Sequence, residues 1–283
     1  MDIIGGPASQ LLAGRVSKEL ESNLLVSEFK KFPDGELYTR IMDDFGGDNV
    51  TIIQSIVNDS DFIALLQLID ACSEASGINV VIPYMGYARQ DKQFKRGEPI
   101  SPRALAGAIK ADNVFTVNIH AESILDYFDA KAVNLDATPV IGKYIKNMEF
   151  KDPLIVAPDD GAIALARNAA RDLGIDCDYL EKTRLSGESV TIQPKNMNVR
   201  GRDVIIIDDI ISTGGTMAET ISLLRSQGAH EVFAACVHPV FSNNAILKLF
   251  KAGVKGIIAT DTIDKGVSVV SVAPVIASAI GNL

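Results

Sequence analysis

The chain has 283 residues, and its 27 Lys and Arg against 36 Asp and Glu give a formal charge of −9. A hydrophobic share of 47% and a charged share of 22% are those of a globular protein, which excludes a disordered or collagen-like chain. An isoelectric point near 4.9 argues against a general nucleic-acid coat, which needs clustered cations, yet leaves room for a small phosphorylated ligand on a local basic patch.

Met1 to Gly6 shows no basic segment ahead of an apolar core, so no signal peptide is expected. The longest apolar candidate for a membrane span, Val267 to Ile280, is interrupted by Ser268, Ser271 and Pro274 and falls short of the ~20 residues required. Cys72, Cys177 and Cys236 are widely spaced and form no CxxC pair, which points to reduced, buried thiols and a cytoplasmic protein without a membrane segment.

In chain order, residues 50–54 read as a strand and 62–69 as the helix after it. Strand 79–83, helix 102–110 and strand 113–117 follow. The second half repeats this grammar: strand 154–157 leads into helix 162–173, and strand 203–207 into a helix from about 217 to 227. Residues 231–237 and 256–259 supply two more strands. Short β-branched runs alternating with amphipathic helices predict mainly parallel sheets covered by helices on both faces. Asp61 to Leu65 faintly matches Gly161 to Leu165, each after a strand and a polar loop. The simplest division is two α/β domains, 1–142 and 143–283, joined near Asp136 to Lys146. Ligands in such folds sit beyond the carboxyl ends of the strands.

The sharpest motif lies at such an end. Val204 to Ile207 runs into Asp208 and Asp209, then Ile210-Ile211-Ser212-Thr213-Gly214-Gly215-Thr216. Backbone N–H groups of Thr213 to Thr216, with glycines permitting close approach and a helix N-terminus adding positive potential, suit a phosphate. Asp208 and Asp209 can accept hydrogen bonds from vicinal sugar hydroxyls. The competing reading is a capping box, Thr216-Met217-Ala218-Glu219, which accounts for Thr216 and Glu219 but not for two acids before Ser-Thr-Gly-Gly. A basic cluster supports phosphate chemistry: between Arg89 and Arg103 stand five cations against two acids. There is no GxG sequence, no Walker A loop and no HExxH, so the dinucleotide, P-loop and zincin fingerprints are missing.

The Asp208 to Thr216 segment resembles the phosphoribosyl-pyrophosphate loop of type I phosphoribosyltransferases and of ribose-phosphate pyrophosphokinases. Pro83-Tyr84-Met85-Gly86-Tyr87-Ala88-Arg89-Gln90-Asp91 favours the pyrophosphokinases. The resemblance runs by motif from Phe32 to Thr216 and is closest to the shorter, archaeal-type members, many relatives carrying an acid where Ser212 stands. It implies two related α/β domains of the type I phosphoribosyltransferase kind, the second bearing the ribose 5-phosphate loop. The implied reaction is transfer of the β,γ-pyrophosphoryl group of MgATP to the 1-hydroxyl of ribose 5-phosphate, in a cytoplasmic homo-oligomer, dimer or hexamer.

The resemblance also implies roles for residues. Ribose 5-phosphate falls to Asp208, Asp209, Ser212, Thr213, Gly214, Gly215 and Thr216. ATP falls to Phe32, Asp34 and Glu36, serving a neighbouring subunit, and to Arg89, Gln90 and His120. Mg²⁺ falls to His120 and Asp159, the latter in Pro158-Asp159-Asp160-Gly161, which by itself also reads as a helix N-cap. Lys182 and Arg184, in Glu181-Lys182-Thr183-Arg184, are the implied catalytic cations. The chain departs from the family pattern at Gln93, Phe94 and Asn118. His230 and His238 have no such context and read as surface or packing residues. Two alternatives stand beside this reading: a phosphoribosyltransferase consuming phosphoribosyl pyrophosphate, and a catalytically silent, nucleotide-binding partner subunit, which ought to lack the Lys182 and Arg184 cations.

Overall fold

The computed structural model describes residues 1–45, 49–171, 173–186, 189–194, 198–281 and 283, with backbone alone for 181–186 and 189–194. The elements in order are β1 (Asp2–Gly5), α1 (Gln10–Leu20), β2 (Asn23–Leu25), β3 (Ser27–Lys31), β4 (Leu37–Ile41), β5 (Val50–Ile53), α2 (Asp59–Ala71), β6 (Ile78–Ile82), α3 (Ser101–Ala106), β7 (Asn113–Val117) and β8 (Lys131–Leu135). There follow α4 (Thr138–Lys146), β9 (Leu154–Ala157), α5 (Ile163–Arg171), β10 (Asp176–Ser186), β11 (Ser189–Pro194), β12 (Asp203–Ile210), α6 (Gly215–Ser226), β13 (Glu231–His238), α7 (Ala245–Ala252), β14 (Gly256–Thr260), β15 (Ser268–Val270) and α8 (Ala273–Ile280).

The chain divides into two compact units. One holds Met1–Asp136, Thr262–Asp264 and Ser271–Leu283, the other Ala137–Asp261 and Lys265–Val270. The first contains a six-stranded sheet in the order β2-β1-β5-β6-β7-β8, parallel throughout. β3 and β4 leave it to form a separate antiparallel hairpin. In the second, the order is β11-β10-β9-β12-β13-β14-β15, with β10 and β11 antiparallel and the rest parallel.

The strands read from sequence are the buried ones. All four residues of β5 and of β9 are buried, as are the first five of β12, because helices cover both faces and leave no position for alternation. α2 starts where sequence chemistry places it: the Asn58 side chain accepts the Asp61 N–H at 3.2 Å, and the Asp61 carboxylate accepts the Asn58 N–H at 3.0 Å. Burial raises the Asp61 pKa, and the N–H groups of Val57 and Asn58 partly counter this. The helix read at 102–110 is shorter, closing at Ala106, and its first turn carries Pro102, whose missing N–H costs nothing there.

The apolar run from Val267 is cut by its own polar residues into β15 and α8, with Pro274 in the first turn of the helix. α8 buries Ala273, Ile276, Ala277 and Ile280, an i, i+3, i+4, i+7 stripe, and packs on α1 in the first unit. Among the described residues no helix is long and apolar enough to cross a membrane. The three cysteines are free; Cys72 and Cys236 are buried, whereas Cys177 is half-buried rather than fully enclosed.

Candidate functional site

In the second unit, β12 runs three residues further than the apolar pattern indicates and carries both acids at its end. Asp208 and Asp209 are half-buried, and the Asp208 carboxylate accepts the Asp209 N–H at 2.9 Å. Loss of water around Asp208 and the adjoining Asp209 carboxylate push its pKa from 3.8 up to about 8, and the negative charge of Asp159 adds to the shift. Burial and the neighbouring carboxylates therefore favour the protonated form of Asp208 until hydrogen-bond donors or a cation offset its charge.

The native state binds this proton where the unfolded chain has released it. The associated stability is complete below about pH 4 and is lost as pH rises through about 8. Asp208→Asn is expected to flatten that slope and to raise the unfolding free energy at pH 8 by at least about 1 kcal/mol. Urea denaturation of both proteins at pH 5 and pH 8 measures this, and parallel slopes would refute the shift.

Beyond the acids, Ser212 and Gly215 are half-buried, Gly214 is buried, and Thr213 and Thr216 are exposed. α6 begins two residues before the expected capping box: its N-cap is Gly214, in the left-handed region at φ 73°, and no side chain caps it. Thr216 lies within the first turn, so the capping reading fails and the N-terminal N–H groups remain directed at the loop. A helix start lacking a side-chain cap, next to a turn that only glycine adopts without strain, provides donors for an anion. Directly upstream, the acids offer acceptors for hydroxyls.

Asp159 sits half-buried before a short 3₁₀ turn, where its carboxylate accepts the Gly161 N–H at 3.0 Å. The cap seen in the sequence is thus real, and the same carboxylate contributes to the field at Asp208. Lys182 and Arg184 lie outside the residues whose side chains are described. Their backbone is in β10, registered against Ile192 and Val190 of β11, past the last β9 pairing at Tyr179.

In the first unit, the candidate nucleotide residues form two groups. Phe32, Asp34 and Glu36 occupy the tip of the β3–β4 hairpin, and every residue from 31 to 36 is exposed. The Gly35 N–H donates to the Phe32 carbonyl at 2.9 Å, and the Phe32 N–H donates to the Glu36 carbonyl at 2.8 Å. Gly35 takes φ 94°, closing a turn that begins with Pro33. Phe32 is 50% exposed and meets Tyr38 edge-on at 6.1 Å, which fixes an aromatic ring at the surface.

Arg89, Gln90 and His120 lie on the loops after β6 and β7. Arg89 and His120 are exposed. Gln90 is half-buried, its side-chain oxygen accepting the Ser101 hydroxyl at 2.7 Å. The basic loop is braced internally: Tyr87, at φ 64°, donates its hydroxyl to Asp59, and Glu98 accepts the N–H groups of Phe94 and Lys95, both at 2.9 Å. Glu98, an apparent dilution of the positive charge, therefore shapes the loop. Phe94, one of the departures from the family pattern, is 72% exposed. Asn118, another, adopts φ 38° and donates its side-chain amide to Asp136 at 3.1 Å, a conformation Asn tolerates better than most residues. His238 is buried at the end of β13, and His230 bonds Asp203 at 2.6 Å, so both match packing or surface roles.

Among the described residues no three His, Cys, Asp or Glu form a metal-binding group. Sequence reasoning also passed over the segment after β13. Ser242 stands 3.3 Å from Ser212, hydroxyl to hydroxyl, and the Lys248 ammonium donates to the Thr213 carbonyl at 3.0 Å. Its available signal was position: a polar loop beyond the carboxyl end of the neighbouring strand.

Comparison with known proteins also finds two parts, with other boundaries. Residues 1–112 match the N-terminal domain of ribose phosphate pyrophosphokinase, and residues 123–274 match the phosphoribosyl transferase domain. The chain is 58% identical over 283 residues to the ribose-phosphate pyrophosphokinase of Methanosarcina acetivorans, covering all of both chains. It is 46% identical to ribose-phosphate pyrophosphokinase 2 of Archaeoglobus fulgidus, over 98% of this chain and 99% of that one. Among solved structures, phosphoribosylpyrophosphate synthetase from Mycobacterium smegmatis matches with a TM-score of 0.85 at 30% identity, covering 98% of this chain and 96% of that one.

Proposed function

Because this chain belongs to the ribose-phosphate pyrophosphokinase family, we propose that it transfers the β,γ-pyrophosphoryl group of ATP to the 1-hydroxyl of ribose 5-phosphate, releasing AMP. The observation that carries this reading is the end of β12. Two half-buried acids, the first with its pKa raised by burial and by the second, run directly into a glycine-capped helix start with no side-chain cap. A sugar phosphate has both complements: an anion for the N–H groups of Thr213 to Thr216 and the Ser212 hydroxyl, and vicinal hydroxyls for Asp208 and Asp209.

In this reading Arg89 and Gln90 hold the nucleotide's phosphates, Arg89 through its bidentate fork and Gln90 from an orientation set by Ser101. Phe32, Asp34 and Glu36, on an exposed hairpin tip, serve the nucleotide site of a neighbouring copy, the ring stacking on adenine. Such sharing makes the active species a homo-oligomer. Lys182 and Arg184 neutralise charge gathering on the migrating pyrophosphoryl group and on AMP.

In the first unit the His120 imidazole would help hold the Mg²⁺ carried by ATP, and in the second the Asp159 carboxylate would contribute an oxygen to a metal position, each leaving the remaining positions to water and phosphate oxygens. When bound, Mg²⁺ neutralises the polyphosphate and lowers the barrier to displacement at phosphorus. The sugar 1-hydroxyl attacks the β-phosphorus, the bond from that phosphorus to the α-phosphate oxygen breaks, and AMP departs. Little covalent chemistry is asked of the protein, so rate depends on in-line positioning and charge. We place the enzyme in the cytoplasm, with small-molecule substrates and neither nucleic acid nor membrane as partner.

The test is turnover with ribose 5-phosphate, ATP and Mg²⁺, following products by chromatography. AMP and 5-phosphoribosyl 1-pyrophosphate are expected in equal amounts. Formation of ADP, or a requirement for a nucleobase before any reaction occurs, would overturn the reading.

A further inference from the structure

We infer that the segment from Phe241 to Lys248 is a brace that sets the geometry of the sugar-phosphate loop, with Ser242 and Lys248 as its positioning residues. This rests on the assignment of Ser212 to Thr216 to ribose 5-phosphate and adds a second, distant stretch of chain to that subsite. The brace touches the loop at four successive residues. The Phe241 N–H donates to the Ile211 carbonyl at 3.0 Å, and the Ser242 N–H donates to the Ser212 carbonyl at 3.0 Å. The Ser242 and Ser212 hydroxyls are 3.3 Å apart. Lys248 donates to the Thr213 carbonyl at 3.0 Å. At Gly214, an added Cβ would come within 3.1 Å of the Ala245 Cβ and 3.2 Å of its Cα, so the two backbones are in close approach.

These contacts occupy the carbonyls of Ile211, Ser212 and Thr213, so the loop's backbone is held from that side. The brace is also built at a cost in backbone strain. Phe241, Asn243 and Asn244 all take positive φ, at 45°, 51° and 60°. Asn tolerates that region, but a bulky aromatic rarely enters it. Three such residues in four positions persist only where surrounding structure over-determines them, and they concentrate at functional sites. Here Phe241 packs against the second unit's core and Ala245 is buried, which anchors both ends of the strained stretch. The Ser242 hydroxyl holds Ser212 in the orientation that a bound phosphate requires, and Lys248, fixed on α7, does the same for Thr213 from behind.

The test is steady-state kinetics of Ser242→Ala, Ser242→Thr and Lys248→Met, with thermal melting of each. Ser242→Ala is expected to raise KM for ribose 5-phosphate roughly fivefold, the scale of one lost neutral hydrogen bond, with KM for ATP within about twofold of wild type. Ser242→Thr, which keeps the hydroxyl, is expected to recover most of the loss. Lys248→Met is expected to move the same constant in the same direction. An unchanged KM for ribose 5-phosphate in both Ser242→Ala and Lys248→Met overturns the brace, whatever happens to melting. A uniform fall in all kinetic constants accompanied by a lower melting temperature also overturns it, by reducing the segment to general support. If wild-type protein does not convert ribose 5-phosphate, the proposed function itself has failed, and that result is separate from either.

Discussion

Lys182→Ala is expected to lower kcat by about 10²–10³-fold, with KM for ribose 5-phosphate changed by no more than about threefold. The transferring pyrophosphoryl group and the departing AMP gather negative charge as the bond to the α-phosphate oxygen breaks. A cation aimed at that charge is worth more in the transition state than in the ground state, so its removal is felt in kcat. Folding is expected to be spared, because backbone pairing of β10 beyond Tyr179 is confined to β11. Circular dichroism melting of the variant should therefore overlay wild type within about 2 °C. Arg184→Ala should behave alike if both cations address the same charge, and the double variant should then lose less than the product of the two. A kcat equal to wild type would remove Lys182 from the mechanism.

Gly214→Val is expected to be the most damaging single change in the loop between β12 and α6, to which we assign the sugar phosphate. Any L residue at φ 73° costs about 1–2 kcal/mol, and a β-branched one fits that region worst. The new Cβ would also lie 3.1 Å from the Ala245 Cβ and 3.3 Å from its carbonyl oxygen, where backbone at the start of α7 cannot easily give way. Overpacking of this kind adds about 1–3 kcal/mol. Together these lower the unfolding free energy by roughly 2–5 kcal/mol in urea denaturation. Because the strain falls on the residue that caps α6, KM for ribose 5-phosphate should rise more than about tenfold even at a temperature where the variant remains folded. Gly266→Ala is the control: its φ is unremarkable, nothing lies within 4 Å of the added Cβ, and neither stability nor kinetics should move. A Gly214→Val protein that is destabilised yet binds ribose 5-phosphate normally would show that this loop does not hold the phosphate.

What was legible in the sequence follows burial. β5, β6, β7, β9 and β14 were readable to within a residue because a parallel strand covered on both faces is a short apolar run with sharp ends. The β3–β4 hairpin is not announced by the sequence, since Ser27 to Lys31 has no buried residue to mark a strand. β10 and β11 were missed for a related reason: pairing with each other, rather than an apolar pattern, defines their far halves. At the site, the acids and glycines of the β12–α6 loop stood out because that residue mixture has few other uses. The start of α6 did not. Thr216 and Glu219 carry capping chemistry, but Gly214 reaches a conformation two residues earlier that no propensity scale anticipates. Ser242 was legible only by the position of its loop, as a serine between a phenylalanine and two asparagines takes its role from a hydroxyl 30 positions away.

The packing of α8 on α1 bears on the order in which the protein can be made. A ribosome delivers β1 to β8 first, yet the unit they form also contains residues 262–264 and 271–283, which emerge only after all of β9 to β14 and most of the second sheet have appeared. Until they emerge, the face of α1 on which α8 packs has no partner. Synthesis therefore cannot complete the N-terminal unit first, as is usual for a chain made from its N-terminus. A chain ending near residue 260 holds most of the second unit beside a first unit that lacks its covering helix. Pulse proteolysis of such a truncated chain, free of the ribosome, would cut within the first 136 residues before it cut between 154 and 260.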